Sequence, residues 1–203
     1  MRREYEKENV MRSAEFDRET VLRAAIGAFI AKGYNKTSMQ DLKRATGLHP
    51  GSIYCAFENK QGLLLAALEQ YEKDKTKEFS QHFEGREKIL DGLKSYLSHL
   101  VENCGESSGH KVCLSQRALH ELAEQEPLVE SFINKNLNRW QDGFQTVFEK
   151  ALENGELNND RTPLQRVQSL IMGIYGLRTY AQTHPKADVI ESLAEQLFED
   201  VCL

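Results

Sequence analysis

No stretch of this chain holds 18 consecutive apolar residues, which excludes a helix able to cross a bilayer. The N-terminus, MRREYEKENVMRSAEF, is charged where a secretion signal would carry an apolar core, so a cytoplasmic location without membrane contact is expected. Cysteines are few, at Cys55, Cys104, Cys113 and Cys202, and show neither CxxC spacing nor a histidine at zinc-ligand distance. No metal and no cofactor is therefore expected, and in a reducing cytosol the four stand as free thiols. No segment alternates apolar and polar residues with β-branched enrichment, so strands are not expected. A Ser/His/Asp constellation, a phosphate-cradling glycine loop and an HExxH pair are also missing. An enzyme has no support, and His110 and His120 read as solvated or packed residues.

What is present is a helical rhythm. The chain has 203 residues, 40% hydrophobic and 28% charged, with only 4 Pro, which suits a soluble all-α protein of about nine helices in two unequal modules. Its net charge of -5 is unevenly spread: residues 1–60 hold 11 Lys and Arg against 8 Asp and Glu, the remainder 15 against 23. A basic end on an acidic body suits a module that faces phosphates.

The first predicted helix runs from Arg18 to Lys32, capped by Asp17 and stopped by Gly33, with Val21, Leu22, Ala25, Ile26, Phe29 and Ile30 as its apolar stripe. Thr37 and Gln40 have the spacing of a capping box for a short helix over Ser38 to Thr46, which buries Met39, Leu42 and Ala45 and stops at Gly47. Pro50 suits the first turn of another short helix, Pro50 to Phe57. Two short helices joined by a glycine turn, with a buried helix in front, have the helix-turn-helix plan, whose second helix enters the major groove. Ala45, Leu48, Ile53 and Phe57 are the natural inward contacts, which leaves His49, Gly51, Ser52, Tyr54 and Cys55 outward. Asn59 caps a connector helix, Lys60 to Phe79. Helices over Arg86 to Asn103, Lys111 to Gln125, Leu128 to Asn154, Pro163 to Thr183 and Lys186 to Cys202 follow, with Glu106 to Gly109 as the one small-residue loop.

The stretch TSMQDLKRATGLHPGSIYCAFENKQGLL resembles the signature of the tetracycline-repressor (TetR) family, and the likeness extends back through Ala25, Phe29, Gly33 and Tyr34. The resemblance covers about Asp17 to Leu65 and implies a bacterial transcriptional regulator, normally a repressor, that binds pseudo-palindromic double-stranded operator DNA as a homodimer. It implies that Thr37 caps the second helix and donates to a phosphate, and that Tyr54 and Lys60 clasp the backbone. Gly51, Ser52, His49 and Gln40 fall where the family approaches phosphates and base edges. Pro50 and Ala56 depart from its pattern. The implied division is an N-terminal extension over residues 1–16, a DNA-binding domain over 17–63 and an effector-binding and dimerisation domain over 64–203.

In the larger module, LIMGIYGLRTY between Leu170 and Tyr180 is apolar nearly all round, and Gly173 and Gly176 permit close helix approach. This stretch is buried by a second copy or within one subunit. Tyr96, Leu97, Cys113, Arg117, His120, Trp140, Phe144 and Tyr175 have the mixture of an apolar pocket with polar handles, or of ordinary core. The segment HKVCLSQRALHELAEQEP is similar to that of a TetR subgroup, some of whose members sense electrophiles or oxidants through a cysteine at the place of Cys113. Lys111 and Arg117 near it would favour the thiolate, and Cys104 would be a resolving partner; an inert core thiol is the alternative. The expected regulation is loss of operator affinity when a small molecule or electrophile occupies this module. The alternative is a DNA-bound protein that recruits another protein and has no effector.

Overall fold

The computed structural model describes residues 17–104, 113–122 and 125–202, and among them the chain forms nine α-helices and no strand. Expectations for residues 1–16, the Glu106–Gly109 loop, His110 and Lys111 lie outside the described residues.

Helix α1 (Arg18–Lys32) starts where the Asp17 carboxylate accepts from the Glu19 amide, and its whole predicted stripe is buried. It stops at Gly33, whose φ of +79° suits a residue without Cβ and whose amide reaches back to the Phe29 carbonyl. Helix α2 (Met39–Thr46) is capped one residue later than the Thr37–Gln40 reading. Ser38 Oγ accepts from the Asp41 amide at 3.1 Å, while the Asp41 carboxylate accepts from the Ser38 amide at 3.0 Å. Ala45 is exposed, against expectation, because so short a helix presents only Leu42 fully, and Met39 partly, to the core. Gly47, at φ +72°, provides the left-handed cap that lets the chain turn at once into α3 (Pro50–Phe57).

Asn59 caps α4 (Lys60–Phe83), which runs one turn beyond the predicted end at Phe79. Phe79 and Phe83 both turn into the core, tilted against each other with centroids 4.9 Å apart, and within the polar EKDKTKE stretch before them only Lys73, Thr76 and Lys77 are exposed. The rest comprises α5 (Ile89–Cys104), α6 (Leu114–Leu122), α7 (Pro127–Glu153), α8 (Pro163–Ala181) and α9 (Ala187–Cys202). Helix α5 begins at Ile89 rather than Arg86 because its cap comes from elsewhere: the Glu156 carboxylate accepts the amides of Ile89 and Leu90, each at 2.9 Å. Against the effect of burial, those amides hold the Glu156 carboxyl below its usual range.

Two cores result. One joins α1, α2, α3 and the first half of α4 to Leu114, Ala118 and Leu122 of α6 and Val129 and Ile133 of α7. The apolar packing thus crosses residue 63 without a break. The other unites α5, the end of α7, α8 and α9 with Phe79 and Phe83. It is locked by Arg166, 1% exposed, whose guanidinium donates to the Val201 carbonyl at 2.5 Å, to Asn158 Oδ1 at 2.8 Å and to Asp160 at 2.6 Å.

Candidate nucleic-acid interface and effector cavity

The head formed by α1 to α3 leaves the outer side of α3 uncovered. Gln40, His49, Gly51, Ser52, Tyr54 and Cys55 are exposed, Tyr54 at 49%, while Ile53 and Phe57 are buried beneath them. His49 caps α3, its Nδ1 accepting from the Gly51 amide at 3.2 Å, so the proton of the neutral ring sits on Nε2, away from the cap.

Two predicted contacts stand elsewhere. Thr37 is 1% exposed and its hydroxyl donates to the Gly33 carbonyl, so in this conformation it braces the α1–α2 turn and presents no donor to a phosphate. Lys60 sets its ammonium over the Tyr34 ring, 4.3 Å from the centroid, and burial lowers its pKa. Lys43, which the sequence reading passed over, is exposed on α2 and has no ion-pair partner among the described residues. Arg44 and Lys32 instead pair with Asp41, at 2.5 and 2.6 Å.

In the larger part, α4, α5, α6, α7 and α8 line a cavity of about 1290 Å³. Of the residues expected at a pocket, Tyr96, Cys113, His120, Trp140 and Tyr175 line this cavity. Leu97, Phe144 and Arg117 do not. Leu97 and Phe144 face the second core, where Phe144 meets Phe79, Tyr96 and Trp140 at centroid distances of 5.1 to 5.3 Å and forms the layer behind the wall. Arg117 points the other way along α6, donating to the Ile30 carbonyl at 2.7 Å and to Glu121 at 3.1 Å.

Three polar groups that the sequence reading missed define the wall chemically. Glu72 accepts from the Ser115 hydroxyl at 2.8 Å, and burial pushes its carboxyl up. The Tyr71 hydroxyl donates to Cys113 Sγ at 3.6 Å; burial raises that phenol and lifts Tyr175 to about 12, so both are neutral donors. The Arg178 side chain lines the cavity, and its guanidinium has no hydrogen-bonded partner among the described residues. Burial works against its charge, while Cys113, Tyr96 and Tyr71 hold the guanidinium protonated. A second space of about 310 Å³ has Cys104, Cys113 and Arg178 in its wall. Among the described residues the cation beside Cys113 is thus Arg178, on a helix 65 positions away, where spacing along the chain had suggested Lys111, which lies outside them, and Arg117.

Helix α6 serves two surfaces. One side gives Cys113, Ser115, Gln116, Leu119 and His120 to the cavity. The other grips the end of α1, through Arg117 on Ile30 and through Glu121, whose carboxylate accepts from the Asn35 amide at 3.0 Å.

Residues 21–67 match the model of the bacterial regulatory proteins of the tetR family. The HTH-type transcriptional regulator YezE of Bacillus subtilis is 26% identical over 153 residues, 75% of this chain and 79% of its own. A TetR-family transcriptional regulator from Agrobacterium tumefaciens has the same fold, with a TM-score of 0.82 at 18% identity over 92% of this chain and 97% of its own. So has a cysteine mutant of the TetR-family regulator CifR complexed with 26-base-pair double-strand operator DNA, with a TM-score of 0.81 at 22% identity over 93% and 98%. No helix among the described residues is long and apolar enough to cross a membrane.

Proposed function

We propose that this chain is a TetR-family DNA-binding transcriptional regulator, a cytoplasmic homodimeric repressor whose hold on its operator loosens when a small molecule or an electrophile occupies the cavity above α6. The observation that carries the reading is the double duty of α6. A ligand that displaces Leu119 or His120 shifts the same helix whose Arg117 and Glu121 hold the α1–α2 turn. Effector and DNA then compete through one element with two positions, and the effector lowers operator affinity by its preference for the DNA-incompetent arrangement.

The DNA contacts on this reading are Tyr54, Ser52, Gly51, His49 and Gln40, with Lys60 released from Tyr34 and Lys43 added. Two such heads read half-sites about one turn, or roughly 34 Å, apart. The dimer surface is supported by α8 and α9. Met172 is 70% exposed, Tyr180 and Leu193 are also uncovered, and a Cβ on Gly176 would meet nothing within 4 Å. Gly173 is already used within the subunit, where a Cβ would strike Leu197. Of the two glycines, Gly176 is therefore the one open to a partner helix.

The CifR complex supports DNA recognition by this fold, and the place of Cys113 in the cavity wall supports an electrophile as effector. The decisive experiment is a gel shift with the promoter fragment beside the gene at low salt. A retained band that is released by a mild quinone in the wild type and persists in Cys113→Ser is the expected result. No retained band at low salt overturns the DNA reading. Release that is equal in both proteins, with Cys113 unmodified by mass spectrometry, overturns the thiol switch alone.

A further inference from the structure

Away from the cavity and the DNA face, α4 and α5 bring together a group of side chains that the regulatory reading does not use. Glu78 and His82 lie one turn apart on α4, and His99 faces them from α5. One donor atom from each lies within 4.8 Å of the other two. His99 Nε2 is 3.1 Å from Glu78 Oε1, and the two imidazoles stand 5.3 Å apart, centroid to centroid. We propose that Glu78, His82 and His99 form a binding site for a borderline divalent transition-metal ion of the zinc, cobalt or nickel kind.

Three observations carry it. The first is the donor set: two imidazoles and one carboxylate, half-buried, on two helices that fix their spacing, are the ligands such ions take when a further position is left for water or a small ligand. The second is the support behind it. Ser95 Oγ lies 3.0 Å from His82 Nδ1, and a hydroxyl accepting the Nδ1 proton leaves the lone pair on Nε2, the usual arrangement behind a metal-bound histidine. The third is proximity. His99 Nε2 lies 3.1 Å from Glu78 Oε1 and 2.8 Å from Asn103 Nδ2, and an ion seated there takes the place of an Nε2 proton shared with the carboxylate and displaces the Asn103 amide.

Lys75 shows that the carboxylate draws positive charge, since its ammonium sits 2.8 and 3.0 Å from the two Glu78 oxygens. A divalent ion displaces it; the lysine is partly exposed and can swing into solvent. Glu78 and His99 also form part of the wall of the 310 Å³ space, which provides room for a water as a further ligand. Because α4 also carries the packing face of the DNA-binding head, an ion here fastens the far end of the connector to α5.

Cobalt(II) titration of the full-length reduced protein tests the proposal. Expected are visible d–d bands that saturate at one ion per chain without a thiolate charge-transfer band, and the same endpoint with zinc in competition. His99→Gln should weaken the ion by at least about 100-fold, and Ser95→Ala, which leaves all three ligands in place, by about 10- to 100-fold. Circular dichroism of both variants checks that they remain folded. A thiolate band, or binding equal in wild type and His99→Gln, overturns the site. Failure to bind, with His99 instead titrating as a proton-bridged pair with Glu78 by NMR, overturns it too. None of these outcomes bears on operator recognition, which is read separately by gel shift.

Discussion

Thr37→Val separates two roles for one residue. Valine keeps the volume and the branched Cβ of threonine and removes only the hydroxyl. That hydroxyl is buried and donates to the Gly33 carbonyl, with a longer contact to the Ala28 carbonyl at 3.4 Å. The net worth of such a bond is about 0.5–1.5 kcal/mol, and a carbonyl left unpaired in a dry site raises the loss to about 1–3 kcal/mol. For a chain of this length each kcal/mol moves the melting midpoint by about 2–4 °C, so a fall of roughly 2–12 °C is expected. Thermal unfolding followed by circular dichroism measures it. Operator affinity, measured by fluorescence anisotropy well below the midpoint, should change by less than about threefold, since no contact to DNA is removed. Tyr54→Phe should do the reverse: its exposed hydroxyl supports no fold contact, and loss of a phosphate hydrogen bond costs about tenfold in Kd, or 1.4 kcal/mol. If Thr37→Val melts like the wild type and binds the operator about tenfold more weakly, the structural role assigned to Thr37 is wrong.

Arg166→Met should cost about 3–5 kcal/mol in urea unfolding, since it strands the Val201 and Asn158 carbonyls around a space shaped for a guanidinium; a loss below about 1 kcal/mol would contradict the lock described for α8 and α9. The Asp41 carboxyl is held well below its usual range, first by Lys32, then by Ser38. A depressed folded pKa means stability that is fully present above the unfolded value of about 3.9 and is lost as pH falls towards the folded one. Asp41→Asn should therefore flatten the acid limb of the stability profile below about pH 4, and a parallel limb would refute the linkage. Met172→Glu should yield monomers in sedimentation velocity at micromolar concentration with the helical spectrum intact; a persisting dimer would move the interface off this face of α8.

The head was legible because its signals are local. Asp17, Gly33, Gly47, Pro50 and Asn59 each act within a turn of their own position, and each stands where an element begins or ends. The misplaced cap there is a tie between neighbours. Thr37–Gln40 and Ser38–Asp41 have identical spacing, and only the Gly33 carbonyl, which draws Thr37 inward, decides between them. The cavity was half legible. Tyr96 and Leu97 are adjacent in sequence, and which one meets the cavity depends on how α5 is rotated against α4 and α7, a tertiary quantity. Arg178 and Glu72 were missed because periodicity arguments look for apolar faces, and a charge inside such a face looks like an interruption. Glu78 and His82 do carry a readable signal, a four-residue spacing on one helix; His99 joins them only through the packing of α5 on α4.

Gly33 lies against the Glu121 carboxylate so closely that even a methyl group there would overlap it, and its φ of +79° already disfavours any side chain. A change at this turn thus pushes on α6 from the side of the head, as an effector in the cavity would push on it from the opposite side on the proposed reading. Lesions in the α1–α2 turn should therefore imitate an inducer that never leaves, and a genetic screen for constitutive expression should collect substitutions at Gly33, Arg117 and Glu121, none of which touches either ligand.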